Sequence, residues 1–253
     1  MSDEVELSVV VPMFNEVDNV LLLWEELDSA LAKVGRRTEI IFVDDGSTDG
    51  SAAVVWALME RDPRVRLLSF ESNAGLSAAF KAGYGAARGS IVVTMDADLQ
   101  NDPRDVELLL AAMDNADAAV GYRSRRRDPW HKRMSSRVAN AIRNRVSGDH
   151  VIDSACSLRA MRRECTAAIP PYSGMHRFVP TLLRIAGYRV VEVPVHHRPR
   201  TLGRSKFGIW NRALPAFIDL LVVRWMMRRT VRRGLREVLP PDRPLSPPDR
   251  LLG

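Results

Sequence analysis

The sequence predicts an α/β protein built on a central, mostly parallel sheet. Three observations carry this expectation. Four short apolar runs, three of them rich in Val and Ile, are bounded by turn residues, helical patterns alternate with them, and carboxylates follow the first, second and fourth run.

The elements follow in order along the chain. Leu7 to Val11 reads as a buried strand, and Val17 to Lys33 as a helix with Val20, Leu23, Trp24, Leu27 and Leu31 on one face, closed by Gly35. Glu39 to Val43 is the second strand, Ser51 to Arg61 the second helix, and Arg66 to Ser69 the third strand. Ala74 to Ala87 is the third helix, and after Gly89 the run Ser90 to Met95 is the fourth strand. Alternation of this kind implies right-handed crossovers, with ligands beyond the carboxyl ends of the strands. A further strand is expected over Ala155 to Arg159.

The chain of 253 residues is 46% hydrophobic, enough for one large domain, and its two cysteines, Cys156 and Cys165, make neither a disulfide framework nor a four-ligand zinc site. A reducing cytoplasm fits that usage. The start, MSDEVELSVVVP, carries acids where a secretory signal would carry cations, so no signal is expected. The apolar stretch Ala213 to Met227 is broken by Pro215, Asp219 and Arg224, and no membrane span is expected. The end from Pro240 holds five prolines in nine residues and is expected to be extended or disordered.

The net charge of +6 hides an asymmetry. Residues before Gly121 hold 9 Lys/Arg against 22 Asp/Glu, a net of −13, whereas the remainder holds 28 against 9, a net of +19. An anion is expected to meet the second half: nucleic acid, a phospholipid surface or a phosphorylated substrate.

The strand ends show what the acidic half offers. Pro12-Met13-Phe14-Asn15-Glu16 follows the first strand, Asp44 to Asp49 the second, and Asp96-Ala97-Asp98-Leu99-Gln100 the fourth. Carboxylates gathered on one rim repel unless a cation or a hydrogen-bonding ligand offsets them. Mg²⁺ or Mn²⁺ suits such a rim, taking one or two carboxylates and completing its shell with water and substrate phosphates. Asp96 and Asp98, two apart, point the same way, with Gln100 as a neutral oxygen donor. Each piece has a plainer reading. An Asp-x-Asp alone is commonly a solvated loop, and Asp44 to Asp49 equally reads as an N-cap cluster. Neither G-x-G-x-x-G after the first strand nor a P-loop occurs, so a nucleotide would be gripped through side chains and a metal.

The segments VVPMFNE, FVDDGSTDG, SNAGLSAAFKAGYGAARG, MDADLQNDP, DSACSLRAMRRE, MHRFVPTLL and HHRPRTLGRSKFG together resemble the inverting GT-A-type family-2 glycosyltransferases, and more closely their polyprenyl-phosphate branch, over roughly Val5 to Met227. The resemblance implies a GT-A (Rossmann-like) fold followed by C-terminal amphipathic interface helices. It implies that Pro12, Phe14, Glu16, Asp44, Asp45 and Asp96 bind the donor nucleotide of a UDP- or GDP-sugar. It further implies that Asp96, Asp98 and Gln100 hold Mg²⁺ or Mn²⁺ against the donor diphosphate, with Asp96, Asp98 and Arg123 the catalytic set. Asp153 matches a position near the donor sugar, although a cap or turn role fits it as well. Arg123, Arg137, Arg200, Ser205 and Lys206 match acceptor-phosphate positions, with Phe207 a slight departure from the signature.

The basic half suits a phosphate acceptor, which is already anionic and needs cations to gather it rather than a base. Arg125, Arg126, Arg127, Lys132, Arg133, Arg198 and Arg204 add to that set, the run Arg125 to Arg127 reading equally as a solvated helix face. His176 reads as a lid or packing residue and His197 as structural. From Ile209 to Arg233, Trp210, Leu214, Phe217, Leu221 and Trp225 recur at helical spacing with arginines toward the ends, which suits a helix in the headgroup layer of an anionic membrane, a core helix or a dimer contact.

The expected organisation is a catalytic domain over 1–206, an interface helix over 207–236 and a Pro-rich tail over 237–253. The expected protein is a monotopic transferase on the inner face of the plasma membrane, moving a sugar to a polyprenyl phosphate, with a homo-oligomer left open. A family-2 enzyme acting on a sugar hydroxyl is the alternative. A nucleic-acid-binding protein is the rival of another class, and the basic half lacks a recognition helix for it.

Overall fold

The computed structural model describes residues 4–123, 145, 151–154, 156–199 and 210–229, with backbone alone for 210–217. Its elements are β1 (Leu7–Met13), α1 (Val17–Val34), β2 (Thr38–Asp44), α2 (Ser51–Met59), β3 (Val65–Ser69), α3 (Leu76–Ala86), β4 (Ile91–Thr94), α4 (Asp105–Ala112), β5 (Ala118–Arg123), β6 (Arg159–Arg162), α5 (Arg163–Ala167), α6 (Val179–Ile185), β7 (Val190–Val195) and α7 (Trp210–Arg229). Short 3-10 turns cover Met113–Asn115 and Met175–Arg177.

The seven strands form one sheet in the order β3-β2-β1-β4-β6-β5-β7. β1 pairs in parallel with β2 and β4, β2 with β3, and β5 with β7, while β6 runs antiparallel to both β4 and β5. Two antiparallel steps return β5 and β7 to the direction of β4. The carboxyl ends of β1, β2, β3, β4, β5 and β7 therefore share one rim, and only β6 brings its amino end there.

Both faces of the sheet are covered, which is why β1 and β2 are buried along their whole length. Val9, Val11, Ile40 and Phe42 face α1, α2 and α4 through Leu23, Leu27, Val55, Leu58, Val106 and Leu109. Val10, Ile41, Val43 and Val92 face the other way, onto α3, α5, α6 and α7. Gly83 lets α3 approach the sheet, since a Cβ there would fall 2.2 Å from Val10 Cγ1.

The expected strand over Ala155 to Arg159 is corrected: the ladder begins at Arg159, where the expectation ended it. Cys156, Ser157 and Leu158 are buried ahead of it without being part of that strand. α7 packs Leu220 and Val223 on the core and leaves Ile218, Leu221, Val222 and Trp225 exposed. Among the described residues no helix is long and apolar enough to cross a membrane. The tail over 237–253 lies outside the described residues.

Candidate active site

The rim is assembled from loops that leave β1, β2, β4 and β5. After β1, Pro12 is buried, Phe14 and Glu16 are half-buried, and Asn15 turns through a positive φ of 53°. Asn is among the few non-glycine residues that adopt that conformation readily, and here its polar groups bond across to the second loop. Its Oδ1 accepts the Thr48 N–H at 2.8 Å and its own N–H donates to Ser47 Oγ at 2.8 Å. Glu16 N–H donates to Ser51 Oγ at 2.9 Å and Val17 N–H to Asp49 Oδ2 at 3.1 Å, so the first and second loops are stitched together.

Asp44 and Asp45 are both buried at the end of β2. Asp44 Oδ1 accepts the Ser47 N–H and its Oδ2 the Ser69 hydroxyl. The Asp45 carboxylate takes the N–H groups of Ala74 and Gly75, at 2.7 and 3.0 Å, and the Asn73 amide at 3.0 Å. Asp45 therefore holds the turn that opens α3, and Asp49 caps α2 through the Ser51 N–H at 3.0 Å. The capping reading of this cluster applies to these contacts, and it is compatible with a pocket because the same hydrogen bonds make the wall rigid.

After β4, Asp96, Asp98 and Gln100 are half-buried on one loop. Asp98 Oδ1 accepts the Gln100 N–H at 3.2 Å, and Leu99 between them has φ of +60°. A bulky residue in the left-handed region is strained and persists where its surroundings hold it. Among the described residues there is no group of three or more His, Cys, Asp or Glu placed to cage a metal. Two carboxylates and an amide oxygen are instead a hard, incomplete donor set, which fits a Mg²⁺ or Mn²⁺ ion that completes its shell with diphosphate and water oxygens.

Arg123 closes β5 on the same rim. Its Nε donates to Asp153 Oδ2 at 2.6 Å and its Nη2 to Oδ1 at 2.9 Å. Asp153 is buried, so the structure joins two residues to which the sequence assigned separate roles. Arg137, Arg200, Ser205 and Lys206 lie outside the described residues, as do Arg125, Arg126, Arg127, Lys132, Arg133 and Arg204.

The other face of the rim is bounded by the Met175–Arg177 turn. Ser77 Oγ, in the first turn of α3, accepts the Gly174 N–H at 3.0 Å and meets His176 Nδ1 at 2.9 Å. Arg159 is 2% exposed and donates from Nη2 to the His176 carbonyl at 2.8 Å. Its Nε and Nη1 are buried with no acceptor in hydrogen-bond geometry among the described residues. Both thiols are chemically quiet: burial pushes Cys156 up to about 11 and Cys165 up to about 12.

Sequence reasoning missed Asp102 and misplaced Arg198. Asp102, 3% exposed, takes Arg104 Nη2 at 2.6 Å and Arg198 Nη2 at 3.0 Å, and Arg198 Nη1 also grips Glu26. Arg198, counted among acceptor cations, is thus held by Glu26 and Asp102. The signal for Asp102 was present in Asp102-Pro103-Arg104, the opening of α4.

Residues 8–169 match the model of the family described as Glycosyl transferase family 2. The chain belongs to glycosyl transferase family 2. The family-2 glycosyltransferase is 36% identical over 235 residues to the dodecaprenyl-phosphate galacturonate synthase of Rhizobium johnstonii, covering 90% of this chain and 69% of that one. It is also 36% identical over 205 residues to the undecaprenyl-phosphate 4-deoxy-4-formamido-L-arabinose transferase of Edwardsiella ictaluri, covering 80% of this chain and 63% of that one. The chain thus spans about two thirds of the length of these relatives.

Its fold is that of solved glycosyltransferases. Glucosyl-3-phosphoglycerate synthase from Mycobacterium tuberculosis, in complex with Mn²⁺ and UDP-glucose, superposes with a TM-score of 0.66 at 20% identity, covering 86% of this chain and 79% of that one. The mannosyltransferase PcManGT from Pyrobaculum calidifontis, in complex with GDP-Man and Mn²⁺, does so with a TM-score of 0.59 at 20% identity, covering 90% and 71%. The expected GT-A sheet of the family-2 glycosyltransferase is therefore present, with β6 as its antiparallel member.

Proposed function

We propose that the protein transfers a sugar, with inversion, from a UDP- or GDP-sugar to a polyprenyl phosphate held in a membrane. The observation that carries this reading is the Arg123 guanidinium, fixed by Asp153 on the rim shared with Asp44, Asp45 and Asp96. Many glycosyltransferases that use a sugar hydroxyl need a carboxylate base to deprotonate it. A fixed cation suits a phosphate monoester, whose oxygens are already anionic. The names of the two relatives, both acting on polyprenyl phosphates, support the same acceptor.

Pro12, Phe14, Glu16, Asp44 and Asp45 form the wall for the donor base and ribose, and Asp96, Asp98 and Gln100 hold Mg²⁺ or Mn²⁺. Bound there, the cation neutralises charge on the departing diphosphate. Arg123 aims one oxygen of the acceptor phosphate at the anomeric carbon. That oxygen forms the new bond as the bond to the donor β-phosphate breaks, and the electron pair leaves on the nucleoside diphosphate. Arg137, Arg200, Ser205 and Lys206 complete the acceptor set, and Asp153 serves the transfer through Arg123.

Residues 1–206 are the catalytic domain in this reading, and 207–236 the segment that rests on the membrane. The exposed stripe of Ile218, Leu221, Val222 and Trp225, with Arg224, Arg228 and Arg229 on the same helix, supports peripheral binding to an anionic leaflet at the inner face of the plasma membrane.

The test is a panel of radiolabelled UDP- and GDP-sugars given to the purified chain with undecaprenyl phosphate in anionic vesicles. Label should enter the organic phase with one donor and should require Asp98, so that Asp98→Ala folds and is inactive. Label transferred to free sugar hydroxyls and never to lipid would overturn the reading.

A further inference from the structure

The segment His196–Arg198 lies antiparallel along the metal-motif loop. Arg198 N–H donates to the Gln100 carbonyl at 2.9 Å, the Arg198 carbonyl accepts from Gln100 Nε2 at 3.4 Å, and Asn101 bridges to His197. The ribbon is pinned at both ends. His196 N–H donates to Asp105 Oδ2 at 2.6 Å and its Nδ1 lies 2.8 Å from Oδ1, while Asn101 Nδ2 donates to Ser157 Oγ at 2.9 Å.

The other pin is the Arg198 side chain. Nη1 bonds both Glu26 oxygens, at 2.7 and 2.8 Å, and Nη2 lies 3.0 Å from Asp102 Oδ2. Asp102 is itself buried and gripped by Arg104. Two acids on separate elements, α1 and the turn before α4, therefore fix where the Arg198 backbone can be. A half-buried guanidinium held by carboxylates on two elements is geometrically defined in a way that a single exposed ion pair is not.

That backbone has two consequences for Asp98 and Gln100. Its carbonyl occupies the NH₂ end of the Gln100 amide, which leaves the oxygen as the end able to meet a cation. Its N–H holds the residue after Leu99, whose left-handed φ of +60° turns the backbone between Asp98 and Gln100. Outer partners of this kind orient cation ligands, and their loss costs about 10–100-fold in affinity.

We propose that Arg198 is a positioning residue for the cation site, clamping through Glu26 and Asp102 the ribbon that orients Gln100 and holds the strained Leu99 turn. The proposal rests on the reading of Asp96, Asp98 and Gln100 as cation ligands, and it replaces the expectation that Arg198 gathers the lipid phosphate.

The experiment measures Mn²⁺ binding to the full chain with UDP present, by electron paramagnetic resonance of free Mn²⁺, beside the KM for undecaprenyl phosphate at saturating Mn²⁺. Arg198→Ala should weaken Mn²⁺ binding about 10–100-fold and leave the lipid KM within about twofold, with Arg198→Lys restoring part of the loss. Glu26→Gln, on the outer surface of α1, should weaken Mn²⁺ severalfold and decides the matter should Arg198→Ala not fold. Unchanged Mn²⁺ binding in Arg198→Ala with a raised lipid KM, or unchanged binding in Glu26→Gln, would overturn the proposal. Asp98→Ala separates the two readings: if it binds Mn²⁺ as the parent does, the cation site itself is misplaced, whereas if it alone loses Mn²⁺, only the role of Arg198 fails.

Discussion

Arg123 and Asp153 meet through two parallel hydrogen bonds, Nε to Oδ2 at 2.6 Å and Nη2 to Oδ1 at 2.9 Å, with the Asp153 side chain 5% exposed. The pair is a geometric device as much as an electrostatic one, because a fork allows the guanidinium plane a single orientation. Removing Arg123 strands a buried carboxylate, which costs about 3–5 kcal/mol. Arg123→Ala should therefore unfold earlier than Asp153→Ala/Arg123→Ala, which has no charge left to strand. In activity the two single variants should each lose roughly 10²-fold in kcat/KM for the lipid acceptor, about 2.7 kcal/mol, and the double variant little more. A thermal-melt and kinetic double-mutant cycle checks both, and additive losses in kcat/KM would show that Asp153 does not act through Arg123.

This pairing was hidden from the sequence for a physical reason. Arg123 ends β5 and Asp153 precedes β6, and β6 is inserted antiparallel between β4 and β5, a crossing that no local pattern announces. The parallel half was legible because β1, β2 and β4 are buried on both faces and read as continuous Val/Ile runs, with the acidic rim following each. The remaining strands give weaker signals. β5 opens with two alanines and contains Gly121, and β7 carries Pro194, which its edge position tolerates. Asp45 shows a different limit: its residue type marked the site, but its bonds to Ala74 and Gly75 needed the α3 turn to be seen.

Acid should destabilise the protein below the ordinary carboxylate range. Burial pushes Glu39 up, but the Ser8 hydroxyl at 2.6 Å, the Arg88 N–H at 2.7 Å and Arg66 outweigh it and hold the carboxyl below its usual value. Asp62 and Asp102 are likewise raised by burial and more strongly lowered, by Arg64 and Trp24 and by Arg104 and Arg198. A carboxyl depressed in the folded state contributes stability that is complete above its unfolded value, about 3.9 for Asp and 4.3 for Glu. That stability is lost as pH falls through the folded value. The melting midpoint should hold above about pH 5 and fall steadily below about pH 4, and Glu39→Gln should flatten part of that fall. A midpoint independent of pH between 5 and 3 would contradict these assignments.

Arg159 should be a stability liability. It is 2% exposed, its Nε and Nη1 have no acceptor in hydrogen-bond geometry among the described residues, and none of the ion pairs among them includes it. Desolvating a cation costs several kcal/mol, while the bond to the His176 carbonyl returns about 1.5–3 and the neighbouring Tyr84 hydroxyl adds a weaker contact. Arg159→Met, similar in length and apolar, should raise the melting midpoint by a few degrees, about 2–4 °C per kcal/mol in a chain of this size. It should also free the Met175–Arg177 turn, whose carbonyl it holds, so amide exchange in that turn should rise. A lower midpoint in Arg159→Met would mean that its packing and the His176 bond outweigh the buried charge.

Gly46 and Gly50 bracket the loop after β2 and separate strain from crowding. Both have positive φ, +74° and +93°, but a Cβ on Gly50 meets nothing within 4 Å, whereas on Gly46 it falls 2.7 Å from the Ser72 carbonyl carbon and 2.8 Å from Asn73 N. Gly50→Ala should therefore cost only the left-handed penalty, about 1–2 kcal/mol. Gly46→Ala carries that penalty and also drives backbone from backbone, prying the Asp44–Asp45 turn from the Asn73–Gly75 turn that Asp45 holds. Calorimetric UDP binding should stay near parental in Gly50→Ala and fall about tenfold or more in Gly46→Ala, since about 1.4 kcal/mol of misplacement already costs that factor. Equal UDP affinity in the two variants would show that the contact between these turns does not shape the donor wall.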